Sequence, residues 1–470
     1  MTKSPCPKIG VLLACALLSA VPLRSQENFI GSFAEPVDGG NLDIGNSSFD
    51  GVSVAVLTPR WHESEALGTG LGAARWRNML FAIRGVQGKI VTFNLSMAPA
   101  ATGIMILDMD SASFNRVQPV WSYQSSNRTW TPFDTVNRLK PNAKATTGAV
   151  FPANSVIDTT GTVQVTTGSA RKGDYGWQFT NATPFAQDVV YISINEQYPV
   201  NEFYSWMEAN MLTNPWVHPT ASQILPNTFM IGYQSGASPS GTDPAFSRTV
   251  PDMPLYAFTI SDPTQHPTKV VMLVSGQHPY EGQTKASLEG ALQWILNPTD
   301  PMAAAYRSQY VTLVYPFVNP TGEYAGLWRG NVYDPLRDTN RNWNTTLTSP
   351  SQDYGLDTVI IHKNAMNMDM AAIGLGPLPY AVLDFHQNYG DEAPNFDYVL
   401  RTDNALTNQY MSQLQSLVSI ADGTPTPPSA GELRGYWGAR GVQMAITLER
   451  SVYNSLNTET AFGVASVEAL

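Results

Sequence analysis

With 470 residues, 43% of them hydrophobic and only 14% charged, the chain can bury two sizeable cores and is neither a disordered tail nor a coiled coil. A formal charge of −11 argues against nucleic acid or an anionic membrane as partner.

Lys3 and Lys8 precede an apolar run over 9–21, which reads as a secretory signal peptide occupying 1–25. The run is too short to span a bilayer permanently, so the mature chain is expected to hold no transmembrane segment. Both cysteines, Cys6 and Cys15, fall inside this leader, so disulfides cannot support the mature protein. Leu12-Leu13-Ala14-Cys15 is a weak match to a lipoprotein box, and the expectation is export to a periplasm or beyond the cell without an anchor. Losing Lys3, Lys8 and Arg24 leaves the remainder more acidic still.

Residues 26–205 carry short period-two runs divided by turn residues, as over 78–84, 89–95 and 188–194, which predicts an all-β sandwich domain. Trp76, Trp121, Trp130 and Trp177 are expected in its core. A linking helix comes next over 203–212, then a Pro, Gly and Ser-rich crossing over 235–254. Strands over 270–275, 310–316 and 380–385 and one ending at Glu449 alternate with helices over 285–296 and 404–419. That alternation predicts an α/β domain with a mixed central sheet over 206–470.

Just past the first of these strands stands Gln277-His278-Pro279-Tyr280-Glu281-Gly282, in a chain with six histidines. A catalytic zinc takes imidazole and carboxylate ligands together and keeps one position open, and His386 is the natural third ligand after His278 and Glu281. The spacing alone is weak, and nickel, cobalt or manganese also suit a His, Glu, His set.

The order of motifs downstream of the pair is more specific. Val318-Asn319-Pro320-Thr321-Gly322, Leu327-Trp328-Arg329, Asp338-Thr339-Asn340-Arg341, the His386 strand and Ala445-Ile446-Thr447-Leu448-Glu449-Arg450 come in that order. The series resembles the zinc carboxypeptidase family, especially its cytosolic-carboxypeptidase-like branch, over roughly residues 265 to 452. The resemblance implies one Zn²⁺ on His278, Glu281 and His386, with a peptide or protein C-terminus as substrate. It makes Arg329 the group that polarises the scissile carbonyl, Asn340 with Arg341 the grip on the terminal carboxylate, and Glu449 the general base. It also implies that a β-sandwich precedes the catalytic α/β domain.

The chemistry asks for these residue types. A planar guanidinium binds a carboxylate bidentately, a fixed cation stabilises charge developing on the carbonyl oxygen, and a carboxylate beside the ion accepts a proton from water. Asp338 either orients the first histidine or caps the turn before Asn340. An ungapped count places Arg434 where the family reads the terminal side chain, which favours Glu or Asp; a solvated loop arginine is the plainer alternative. The chain departs from the pattern in three places: Thr321 stands for an aspartate, Tyr280 for an arginine, and Pro427 for a mobile tyrosine that Tyr436 is the candidate to replace. Cleavage of peptidoglycan stem peptides by the same zinc site, and a binding protein that merely retains it, stay open; intact Glu449 and Arg329 speak against the latter.

Overall fold

The structure is a computed structural model that describes residues 29–30, 42, 47–57, 80–96, 118–124, 129–139, 155–157, 163–165, 176–226, 228–236, 250–327, 329–334, 337–388, 397–423, 427–451 and 454–470. The leader over 1–25, Trp76, the Trp177 side chain and most of the 235–254 crossing lie outside the described residues.

The first part of the chain builds two five-stranded sheets. One runs in the order Phe29–Ile30, Leu80–Ile83, Val190–Ser193, Val120–Ser122, Thr131–Pro132; the other Ser48–Phe49, Val54–Leu57, Thr92–Ser96, Gly176–Thr180, Thr135–Leu139. Alternate residues of both, including Phe81, Ile83 and Ile192 from one and Leu57, Phe93 and Phe179 from the other, share one apolar core. Trp121 packs on its edge. Trp130 is buried instead in the larger core that continues into the second part of the chain, and its indole donates to the Gln197 carbonyl at 2.9 Å.

The helix Val200–Met211 joins the two parts, burying Val200, Phe203, Tyr204, Met207 and Met211, the single stripe that a 3.6-residue period presents to a core. Beyond it lies an eight-stranded sheet in the order Val217–Pro219, Phe258–Ile260, Tyr310–Tyr315, Lys269–Ser275, Ala381–Asn388, Met444–Ser451, Tyr398–Leu400, Ala421–Asp422. Its four central strands, from Tyr310–Tyr315 to Met444–Ser451, are mutually parallel, and antiparallel pairs flank them, so the sheet is mixed as expected.

Both faces are covered. Val271, Leu273, Leu383, Phe385, Ile446 and Leu448 join the core with the helices Thr284–Ile295, Pro301–Gln309, Ala405–Leu417 and Leu456–Glu468. Their neighbours Val270, Met272, Val274, Val382 and Ala445 join the core with Asp357–Ile373 and Leu433–Gly438. Continuous apolar runs such as Val270-Val271-Met272-Leu273-Val274 are what a strand buried on both faces requires. No described helix is long and apolar enough to cross a membrane.

Candidate metal centre

The proposed ligands stand at the carboxyl ends of the parallel strands, where open α/β sheets gather their sites. After Ser275 the chain turns at Gly276, whose φ of 67° is left-handed and whose added Cβ would meet the Phe317 ring at 2.3 Å. Glycine is therefore required there, and the turn delivers His278 and Glu281 above the sheet. His386 lies on the neighbouring strand, and Glu449 is its register partner one strand further on.

Three distant stretches of chain meet. One donor atom from each of His278, Glu281 and His386 lies within 4.8 Å of the others, and all three residues are buried. Glu281 sits between the imidazoles, Oε1 2.7 Å from His278 Nδ1 and Oε2 2.9 Å from His386 Nδ1. Each histidine turns its other nitrogen to an aspartate: His278 Nε2 is 3.0 Å from Asp338 Oδ1, and His386 Nε2 is 3.0 Å from Asp384 Oδ2. Two imidazoles fixed from behind by carboxylates, facing a third donor, is the arrangement that holds a borderline divalent cation, so these residues fit zinc.

The charges are mutually arranged. Burial alone would raise the Glu281 carboxyl, but His278 and His386 hold it well below the usual carboxylate range. Burial would likewise lower His386, but Asp384 and Glu281 push it well above the ordinary imidazole value. Burial pushes the half-buried Glu449 up to about 7, with the Glu281 charge adding to the rise and His386, His278 and Arg329 opposing it.

Asp338 fills both of its expected roles. Its Oδ1 accepts from Asn340 N at 2.8 Å, capping the turn Thr339–Arg341, and also faces His278, while Oδ2 accepts from Arg329 Nη1 at 3.1 Å. Arg329 is thereby held next to the ligand cluster. Its loop is fixed by Asn319, whose amide donates to the Gly330 carbonyl at 2.9 Å and whose Oδ1 accepts from Gly322 N at 3.3 Å. Thr321, in place of the expected aspartate, is buried, and its backbone N–H donates to Gln234 Oε1. The helix start is thus capped by Asn319 rather than by the substituted position.

Where the sequence places substrate binding, the Arg341 side chain is half exposed, donates to the Asn340 carbonyl at 2.9 Å and approaches Glu432 at 3.8 Å. Asn340 is buried, with Oδ1 accepting from Leu433 N at 2.9 Å and Nδ2 3.3 Å from His386 Nε2, so its amide ties the 431–434 segment to a ligand histidine. Arg434 is not a solvated loop residue: it is buried and paired with Glu432. Tyr436 does not replace the mobile tyrosine. Its hydroxyl exchanges hydrogen bonds with Asn367, its ring packs with Trp437, and the Arg440 guanidinium lies 3.5 Å from the ring centre.

Several supporting residues escaped the sequence reading. Gln277 donates to Asp384 Oδ2 at 2.6 Å and accepts from Trp343 Nε1 at 2.7 Å. Gln387 N donates to Glu281 Oε2 at 3.0 Å; its side chain exchanges two hydrogen bonds with Gln283, which donates onward to the Glu196 carbonyl. Tyr280 lies parallel to the His278 ring, centroids 5.9 Å apart. Asp384 had a readable signal: residues two apart on a strand share a face, so an aspartate two before a ligand histidine can reach it.

Compared with solved structures, the chain is similar to a metallo-carboxypeptidase from Burkholderia cenocepacia, with a TM-score of 0.59 and 16% identity over 92% of this chain and 96% of that one. A metallo-carboxypeptidase from Pseudomonas aeruginosa, in complex with (2-guanidinoethylmercapto)succinic acid, gives a TM-score of 0.60 and 15% identity over 92% of this chain and 96% of that one. This is a metallo-carboxypeptidase fold. No protein-family model and no curated protein matches the sequence.

Proposed function

We propose that the protein is a zinc-dependent metallocarboxypeptidase that hydrolyses the C-terminal peptide bond of peptides or proteins. The observation that carries the reading is the buried convergence of His278, Glu281 and His386 with Glu449 in register beside His386. The fold shared with metallo-carboxypeptidases supports it.

Bound zinc supplies Lewis acidity and lowers the pKa of water at the site. The Glu449 carboxylate takes the proton of the attacking water and passes it to the leaving amine. Arg329, fixed by Asp338, presents its guanidinium to the carbonyl oxygen as negative charge develops there. Arg341 grips the terminal carboxylate, with Asn340 fixing the segment opposite, which makes the enzyme an exopeptidase. Buried Arg434 favours an acidic terminal side chain.

On this reading the two sheets of the first part form a β-sandwich domain over 26–205 ahead of the catalytic domain over 206–470, as in the cytosolic-carboxypeptidase-like branch. Residues 1–25 are a signal peptide that sends the protein to a periplasm or outside the cell.

The test is metal analysis joined to cleavage of a Glu-terminated peptide by wild type and Glu449→Gln. The variant is expected to keep its zinc and lose roughly 10²–10⁴ in kcat, the usual worth of a general base. Full hydrolysis by the variant, or a wild type that takes up no metal, defeats the assignment.

A further inference from the structure

Glu432 is a carboxylate for which the proposed reaction has no use, and it stands between the two arginines of the recognition side. Its Oε2 is 3.2 Å from Arg434 Nη2, and its Oε1 is 3.8 Å from Arg341 Nη1. The Arg434 side chain is 2% exposed and that of Glu432 17%, against 50% for Arg341. The backbone on either side of Glu432 is anchored. Trp343 N donates to the Gly431 carbonyl at 2.9 Å, and Leu433 N donates to Asn340 Oδ1 at 2.9 Å. Gly431 lies so close that an added Cβ would come within 2.1 Å of the Arg341 carbonyl oxygen. Glu432 is therefore held beside both arginines and is not a wandering surface acid.

We propose that Glu432 is a specificity-determining residue: an internal counter-ion on the Arg341–Arg434 pair that stays in place for a neutral terminal side chain and is displaced by an acidic one. The inference rests on the reading of Arg341 and Arg434 as substrate-binding groups and goes beyond it by naming what limits their preference. A buried guanidinium is costly unless an anion accompanies it. A terminal residue with a neutral side chain brings one carboxylate, which Arg341 takes, while Glu432 remains on Arg434. A terminal Glu or Asp brings two. Its side-chain carboxylate must then displace Glu432 from Arg434, because like charges crowded into one poorly hydrated site repel. Glu432 therefore narrows the gap between acidic and neutral termini, as an internal competitor does, and lets one pocket accept both.

Glu432→Gln keeps the size of the side chain and removes its charge. Acidic ligands then meet Arg434 without competition from the Glu432 charge, and neutral ones leave it without the Glu432 anion. Calorimetric titration of the full-length zinc-loaded protein with N-acetylglutamate and N-acetylleucine reads the effect without needing turnover. The ratio of the two affinities is expected to shift toward glutamate by tenfold or more in Glu432→Gln, to shift less in Glu432→Asp, and to shift toward leucine in Arg434→Gln. Melting curves taken alongside identify a variant that has failed to fold, and Glu432→Asp then carries the comparison. An unchanged ratio, or one moving toward leucine, in Glu432→Gln overturns the inference while leaving a carboxypeptidase standing. A wild type that binds neither ligand overturns it together with the pocket. The expected shifts in a protein that hydrolyses no peptide would instead sink the proposed reaction and leave Glu432 in its role.

Discussion

None of His278, Glu281 and His386 is more than 3% exposed, and all four imidazole nitrogens face a carboxylate oxygen at 2.7–3.0 Å. A short distance away Arg341 leaves half of its side chain to solvent, and its nearest carboxylate is 3.8 Å off. The donors of the first region are held by partners of their own, because buried charges are tolerated only when each is matched. The second, on the proposed reading, would be completed by its ligand. Changes in the first region should therefore appear in metal affinity and kcat, and changes in the second in KM.

The sharpest way to break that contrast is Arg329→Gln. Removing a fixed donor to developing charge costs about 10²–10³ in kcat, and KM should move little. A change confined to KM would place Arg329 on the recognition side instead. Next comes Asp338→Ala, which removes the anchor of the first ligand histidine. Zinc affinity, measured by competition with a chromogenic chelator, is expected to weaken about 10–100-fold. Undiminished affinity would mean that Asp338 serves only as a cap. Arg341→Lys should raise KM roughly tenfold at nearly constant kcat, the loss of one bidentate charge-assisted contact. A fall in kcat with KM unmoved would remove Arg341 from substrate binding.

The smallest effect is in the pH profile. Glu449 must be ionised to accept a proton, so kcat/KM falls as pH drops through its pKa. Burial sets that value at about 7 before the ion is counted, and the charge of zinc moves it lower. The acid limb is therefore expected below neutrality, and a midpoint above pH 7 would argue against Glu449 as the base.

Much of the second part of the chain was legible because its signals are local. Strands buried on both faces write themselves as unbroken apolar runs, and Asn404 announces its helix by capping Thr407 N at 3.0 Å. The helix Asp357–Ile373 went unread because it buries His362, Lys363 and Asp369 along with Val359 and Met366, which erases the two-sided pattern. Leu456–Glu468 hid in the same way, with Glu459 and Ser466 buried beside Phe462. At the site, ligand spacing and motif order pointed to His278, Glu281, His386 and Glu449, which the fold brings together. Gln277, Gln283 and Gln387 carry no signal at all, since a glutamine is informative only once its distant partners are known. Tyr436 misled because position in sequence says nothing of which way a hydroxyl faces.

The link from Glu281 through Gln387 and Gln283 to the Glu196 carbonyl reaches the stretch that leaves the last strand of the first part, and Tyr198 adds a 2.6 Å bond to Glu289 on the helix Thr284–Ile295. The front half is thus no interchangeable cassette. A chimera that swaps those sheets for foreign ones must carry residues 195–198 across unchanged, or the graft will loosen a carboxylate it never touches.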